Sequence, residues 1–350
     1  MAPEIPQTMK AIQLVEYKKP YQLNNVPVPK IGENDLLVKI AAAGFCHTDY
    51  QVWEGVYGSP TPLIGSHEPV GTIVSVGSKA QNKWKVGQRI GASLFRHACH
   101  TCWGCKNYGD DIRQCQTKET AGLFNDGGFA EYMVADAETT VLLPDSISFE
   151  QAAPLMCAGL TVWEAMQRCE LGNGEPIGVI GVGGLGSLAV QFAKAAGHPV
   201  VAIDNRAEGR ELATDMTLKA DLVVDPADPN ALSKIKDWAG EGGLVATIIC
   251  NDDVSVAEWS LKLLRPFGKT VPLGLPPGGL KFDAFDLVFQ NLSIIGSLVG
   301  TTEGLRKVME TASKFNIHSY VTTYPIEDVV NFPDIYGGGH VKGRLVMKIE

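Results

Sequence analysis

The densest chemistry in the chain lies between Ala98 and Gln116, ACHTCWGCKNYGDDIRQCQ, where Cys99, Cys102, Cys105 and Cys115 are separated by two, two and nine residues. Four thiolates from one excursion of the chain can surround a Zn2+ tetrahedrally and leave no open coordination position, which makes such a site structural rather than catalytic. His97 and His100 stand in the same loop and could replace a sulfur. As loop histidines they read more simply as solvated, and four sulfurs are the expected set. With eight cysteines in a chain that reads as cytosolic, metal is a better expectation than disulfides, because that compartment keeps thiols reduced.

A second pattern runs from Glu175 to Gly186, EPIGVIGVGGLG, a short apolar strand leading into Gly181, Gly183, Gly184, Leu185 and Gly186 and then a helical stretch that ends at Gly197. Gly181 permits a tight turn, Gly183 lets a pyrophosphate approach the backbone, and Gly186 lets helix and strand pack closely, with free N–H groups of the helix start facing the phosphates. The next apolar run, PVVAID, ends in Asp204, 23 residues after Gly181. A carboxylate there can accept both adenosine ribose hydroxyls and repels a 2'-phosphate, so NAD is expected over NADP. Arg206 and Arg210 follow closely and leave weak use of NADP open.

Three further candidates are scattered: Cys46 in GFCHTD, His67 in GSHEPVG and Cys157 in APLMCAGLTVW. Singly, each has a plain reading as a buried thiol or a satisfied histidine. In order along the chain stand CHTD with Trp53 following, HEPVG with Gly77, the cysteine lobe, DGGFAEY, AAPLMCAGLTVW, GVGGLG, LRPFG, PLGLP and the terminal VKGRLVMKI. This series resembles the zinc-dependent medium-chain alcohol dehydrogenases, most closely the yeast-type members, over nearly the full length. The resemblance implies that Cys46, His67 and Cys157 hold a catalytic Zn2+ with one open position, beside the structural Zn2+, giving two zinc ions per chain. It implies that Thr48 hydrogen-bonds the substrate oxygen, that Glu68 lies beside the metal, and that Asp49 orients the His67 imidazole. By the same analogy His47 and Arg344 approach the coenzyme pyrophosphate, Thr161 and Val299 touch the nicotinamide, and Trp53, Leu94 and Leu298 wall the substrate pocket. Cys169 and Cys250 match no ligand position and read as buried thiols.

Three departures from the family pattern stand out. Gln51 occupies a position where a histidine often relays the alcohol proton, and an amide cannot titrate. Nine residues rather than the usual seven precede Cys115, an excess expected to bulge outward as solvated loop within Asn107 to Gln114, with its Asp110–Asp111 pair. Ser66 replaces the commoner glycine before His67.

The elements that must position these residues are also legible. Met9 to about Ala153 is strand-rich, with short apolar runs broken by Gly and Pro. From about Leu160, strands such as IGVIG, PVVAID and LVATIIC alternate with helices, the pattern of a parallel sheet wound with helices. The fold expected is therefore α/β: a GroES-like β-rich catalytic domain at 1–158 and 297–350, discontinuous because the final strand returns to it, and a Rossmann doubly wound coenzyme domain at 159–296. A length of 350 residues suits two domains, and 45% hydrophobic residues are enough for their cores. Thirty-nine acidic against 30 basic residues give a net charge of −9, which argues against nucleic acid as a partner. Neither a signal-peptide core nor an Arg-rich leader is visible, and the longest uncharged run falls short of the ~20 apolar residues of a membrane span. The expectation is a cytoplasmic, NAD-dependent enzyme acting on a small alcohol or aldehyde, without a membrane partner, and a homotetramer, or failing that a dimer. Two alternatives are a dedicated aldehyde or ketone reductase of a biosynthetic pathway, and a non-catalytic dinucleotide-binding zinc protein.

Overall fold

The computed structural model describes residues 5–109, 111–240, 242–339 and 341–349, and the chain divides into two compact units. The first unit runs to Cys157 and takes in Thr301–Ser313 and the chain from Tyr320 onward. The second spans Ala158–Gly300 with Lys314–Ser319.

In the first unit the central strand is Asp35–Phe45, whose apolar residues are buried on both faces. Glu68–Val76 pairs antiparallel along one edge and Arg344–Lys348 along the other, with Gly44 opposite Glu68 and Phe45 opposite Leu345. The last strand of the sequence therefore sits beside one of the first. Because both neighbours run antiparallel, their first residues, Glu68 and Arg344, come to the end of the strand that leads into Cys46. Beneath this sheet the helix Phe149–Pro154 is capped by Ser148, whose hydroxyl accepts the Gln151 N–H at 3.4 Å. Pro154 supplies no N–H to continue the helical ladder, and the chain widens into one turn of π-helix at Leu155–Gly159, which carries Cys157.

The second unit is a six-stranded parallel sheet ordered Leu222–Val224, Val200–Ile203, Ile177–Ile180, Leu244–Ile249, Leu264–Pro272, Ser293–Ile294. That is the 3-2-1-4-5-6 order of a doubly wound dinucleotide-binding sheet. Three of its inner strands, Val200–Ile203, Ile177–Ile180 and Leu244–Ile249, are largely apolar and buried, as strands covered on both faces must be. Ile180 pairs with Ile203, so the residues that follow, Gly181 and Asp204, leave the sheet side by side.

Candidate metal centres and coenzyme turn

Cys46 ends the central strand and caps the helix His47–Glu54, so its sulfur stands at a helix N-terminus, where negative charge is favoured. Asp49, one turn in, binds three groups at once. Its Oδ2 accepts the Cys46 N–H at 2.8 Å, and its Oδ1 accepts the Ser66 N–H at 3.0 Å and lies 3.3 Å from His67 Nδ1. That contact leaves the other ring nitrogen of His67 free to face a ligand. Ser66 sits at φ +70°, the left-handed region in which glycine would be unstrained, and its hydroxyl donates to the Gly44 carbonyl at 2.8 Å. This hydrogen bond accounts for how a serine serves there.

The ligand atoms of Cys46, His67, Glu68 and Cys157 all lie within 4.8 Å of one another, and all four residues are buried. Each titrates abnormally for a physical reason. The hydrogen bond with Cys157 outweighs burial and, with Arg344 and His67, holds the Cys46 thiol well below its ordinary value. The same bond, with burial, holds Cys157 well above. Burial would lower His67, but Asp49 overrides it and holds the imidazole well above its usual value. Burial pushes Glu68 up to about 7 against the pull of Arg344. Gly44 leaves room for the Glu68 carboxylate, where any β-carbon would collide with it. Glu68 Oε1 pairs with Arg344, whereas its Oε2 is buried with no hydrogen-bond partner among the described residues. Two thiols, an imidazole and a carboxyl with an orphaned oxygen, converging out of water, form a donor set that a zinc ion satisfies.

Arg344, expected at the coenzyme phosphates, is 4% exposed with its guanidinium on Glu68. His47 is half-buried, its Nδ1 3.3 Å from the Tyr336 hydroxyl, and Thr48 is half-buried in the first turn of the same helix. Trp53 donates to the Lys19 carbonyl at 2.7 Å, and Leu94 is buried. Gln51 is 6% exposed and its Oε1 accepts the Tyr57 hydroxyl at 2.6 Å, a partner that sequence reading does not reveal.

The four lobe cysteines also meet within 4.8 Å, with Cys102 and Cys105 sulfurs 3.6 Å apart and Cys99 and Cys115 sulfurs 3.7 Å apart. Backbone N–H groups of Cys99, Cys102 and Gln116 donate to the sulfurs of Cys115, Cys99 and Cys102, each at 3.4 Å, the solvation that thiolates on a metal need. Hydrogen bonds from Thr117 and Thr101 bring Cys99 down to about 5, and burial with the bond to Cys102 pushes Cys105 up to about 12. Neither histidine joins the group. His97 bridges Asp35 (2.9 Å) and Glu119 (3.1 Å), while His100 pairs with Glu138 at 3.0 Å, so both tie the lobe to its surroundings. The long interval before Cys115 folds as a helix, Trp103–Tyr108, and a 3-10 turn, Ile112–Gln114, with Ile112 buried. Lys106, Asn107, Tyr108, Gly109 and Gln114 are exposed, so the interval is solvated as expected but ordered into short helical turns instead of plain loop, with Gly104 packed on the Gln114 backbone; Asp110 lies outside the described residues.

On the second unit Gly181 has φ +87° and Gly186 abuts the Gly181 carbonyl, so the turn requires both. Gly183, Gly184 and Leu185 are partly exposed ahead of the helix Gly186–Ala195. Asp204 is 4% exposed, and its Oδ2 accepts the Val182 N–H at 2.6 Å. The turn and the acid fit a dinucleotide. Thr161 lies in the helix Leu160–Cys169, Val299 adopts φ +43°, and Leu298 is exposed.

Residues 32–145 match the alcohol dehydrogenase GroES-like domain, and residues 184–314 match the zinc-binding dehydrogenase family. The chain is 38% identical over 344 residues to an alcohol dehydrogenase of Geobacillus stearothermophilus, covering 98% of this chain and 100% of that one. It is 34% identical over 346 residues to an alcohol dehydrogenase of Rhizobium meliloti, covering 98% and 99%. Among solved structures it resembles the alcohol dehydrogenase of Aeropyrum pernix, with a TM-score of 0.86, 29% identity and coverage of 97% and 100%. It also resembles the acetophenone reductase of Geotrichum candidum in complex with NAD, with a TM-score of 0.85, 27% identity and coverage of 99% and 99%. The two units thus define a medium-chain dehydrogenase, with a GroES-like unit carrying the thiol clusters and a Rossmann unit carrying the glycine turn. This chain belongs to the zinc-dependent alcohol dehydrogenase family, whose reaction interconverts an alcohol and an aldehyde or ketone by hydride exchange with NAD(H).

Proposed function

We propose that this alcohol dehydrogenase works through a zinc ion held by Cys46, His67 and Cys157, with a second, structural zinc on Cys99, Cys102, Cys105 and Cys115. The observation that carries the reading is the buried meeting of two thiols, an imidazole and a carboxyl within 4.8 Å. Such an ion supplies Lewis acidity, favouring the deprotonated alcohol in one direction and a polarised carbonyl in the other. The protein's own groups do the rest. Asp49 fixes the Cys46 backbone and the His67 ring together, so both donors keep their places during turnover. Glu68 and Arg344 balance the charge behind the ligands. Thr48, half-buried at the same helix start, accepts the alcohol proton from the substrate oxygen and passes its own hydroxyl proton outward. The Gly181–Gly186 turn takes the coenzyme phosphates and Asp204 the adenosine ribose, which selects NAD; the NAD complex of the Geotrichum candidum acetophenone reductase supports this. Thr161 and Val299 serve the nicotinamide, His47 the pyrophosphate, and Trp53, Leu94 and Leu298 the substrate. The domain limits in this reading are 1–158 with 297–350, and 159–296.

Eight free cysteines and two thiolate-rich zinc sites suit the reducing cytoplasm. No helix among the described residues is long and apolar enough to cross a membrane. The assembly is a homotetramer, with a dimer as the alternative. Support comes from the helix Ala284–Phe289, in which no residue is buried and whose Phe285 and Phe289 rings stack at 4.2 Å, next in sequence to the edge strand Ser293–Ile294. A panel of alcohols, aldehydes and ketones followed by NADH absorbance tests the function. Turnover of at least one pair is expected, and NADH binding with no turnover of any would favour the non-catalytic alternative.

Gln51 gives a separate expectation. With a buried amide in place of a base, alcohol oxidation should lack the inflection that an imidazole of pKa about 6.5 would introduce. Gln51→His should create that inflection and raise kcat/KM on its alkaline side by up to about tenfold, less than the 10²–10⁴ of a base acting directly on substrate. An unmoved pH profile would place this residue outside the proton path.

A further inference from the structure

The imidazole of His47, the residue that opens the helix His47–Glu54, meets a side chain from the far end of the sequence: its Nδ1 lies 3.3 Å from the hydroxyl of Tyr336, 289 residues on. Tyr336 belongs to the short helix Phe332–Gly337, which packs against His47–Glu54. Its ring is held by other rings, with centroids 5.4 Å from Phe45, 5.4 Å from Tyr50 and 6.0 Å from the imidazole itself. Phe45 is fully buried, and Tyr50 stacks on Trp53 at 5.2 Å, so the cluster is anchored on both sides. Gly337 lets the two helices approach, since a β-carbon there would come to 3.0 Å from the Tyr50 hydroxyl. The Tyr336 hydroxyl thus reaches His47 from a ring whose place is already fixed by packing.

We infer that Tyr336 is a positioning residue for coenzyme binding, holding the His47 ring by Nδ1 so that the proton on Nε2 is kept for the pyrophosphate of NAD(H). The inference rests on the reading of His47 as a pyrophosphate ligand and adds the residue that orients it. The torsion that turns an imidazole about its stem is broad and roughly two-fold, so a contact from outside must choose which nitrogen is offered to the phosphate. A tyrosine hydroxyl can make that choice in either charge state, because it both donates and accepts. It donates to Nδ1 of the neutral ring and accepts from Nδ1–H of the charged one, and in both cases Nε2 carries a proton that a phosphate oxygen can accept. The partner on one ring nitrogen decides what the other does, as it does for a histidine that binds a metal. A phenylalanine at 336 would keep the ring packing and lose this control.

The test is displacement of NADH fluorescence from the zinc-loaded full chain by ADP-ribose, which carries the pyrophosphate, and by adenosine, which carries no phosphate. Tyr336→Phe should weaken ADP-ribose about three- to tenfold, the equivalent of one net hydrogen bond, and leave adenosine unchanged. KM for NAD should rise in step, while kcat at saturating NAD does not fall. His47→Ala should weaken ADP-ribose at least as much, and adding Tyr336→Phe to it should cost nothing further, because the hydroxyl acts through the imidazole. Unchanged ADP-ribose binding in Tyr336→Phe, an equal loss for adenosine, or additive losses in the double variant would each overturn the inference, and a loss in His47→Ala would still leave the pyrophosphate reading standing. Full ADP-ribose affinity in His47→Ala would take His47 off the pyrophosphate and overturn both.

Discussion

Cys46→Ser should abolish alcohol oxidation, by roughly 10³-fold or more, and remove one zinc ion per chain while leaving the fold and NADH binding in place. The size follows from the several kcal/mol of charge stabilisation that a Lewis-acid metal contributes, at 1.36 kcal/mol for each factor of ten. Retention of the fold follows from position. Cys46 is the N-cap of the helix His47–Glu54, serine is among the best N-cap residues, and Asp49 still accepts the backbone N–H at 46. The defect thus falls on metal and rate rather than on stability. Cys157→Ser should do the same from the π-helical turn. A Cys46→Ser protein that has lost the metal and remains fully active would remove Cys46 from the chemistry.

The second large effect is on stability. Cys115 is 1% exposed, and its sulfur accepts the Cys99 N–H and lies 3.7 Å from the Cys99 sulfur. Lengthening the last interval from seven residues to nine costs only a few tenths of a kcal/mol in closure entropy. Structural zinc in small peptides contributes ~10–16 kcal/mol of apparent binding free energy, so the ligand set outweighs the longer interval by more than an order of magnitude. Cys115→Ser should therefore lose the lobe zinc and melt earlier, by roughly 10 °C if about 3 kcal/mol of that energy is lost. Its intrinsic hydride-transfer rate should change far less than in Cys46→Ser. An unchanged melting temperature would show that Arg96, His97 and Glu119 hold the lobe without the metal.

Local patterns were legible because local geometry makes them. Cys99, Cys102 and Cys105 lie close in sequence, and strand, turn and helix follow one another through Gly181–Gly186, so spacing alone predicted both. The Cys46, His67 and Cys157 set could be read only through family resemblance, because it depends on antiparallel register across the first unit. The Glu68–Arg344 pair spans 276 residues and needs the final strand beside the central one. Nothing in sequence spacing says that Arg344 pairs with the Glu68 carboxylate, or that Arg206 folds back on Asp204. The positive φ of Ser66 was hidden for another reason. A non-glycine residue gives no sign of left-handed backbone, and its hydroxyl bond to Gly44 appears only once the strands are paired.

Anomalous scattering at the zinc edge from crystals of the zinc-replete protein tests the central claim most directly. Two peaks per chain are expected, one among Cys99, Cys102, Cys105 and Cys115, the other bound by the Cys46 and Cys157 sulfurs at about 2.3 Å and a His67 nitrogen at about 2.0–2.1 Å. A single peak in the cysteine lobe, in protein that still turns over alcohol with NAD, would contradict it.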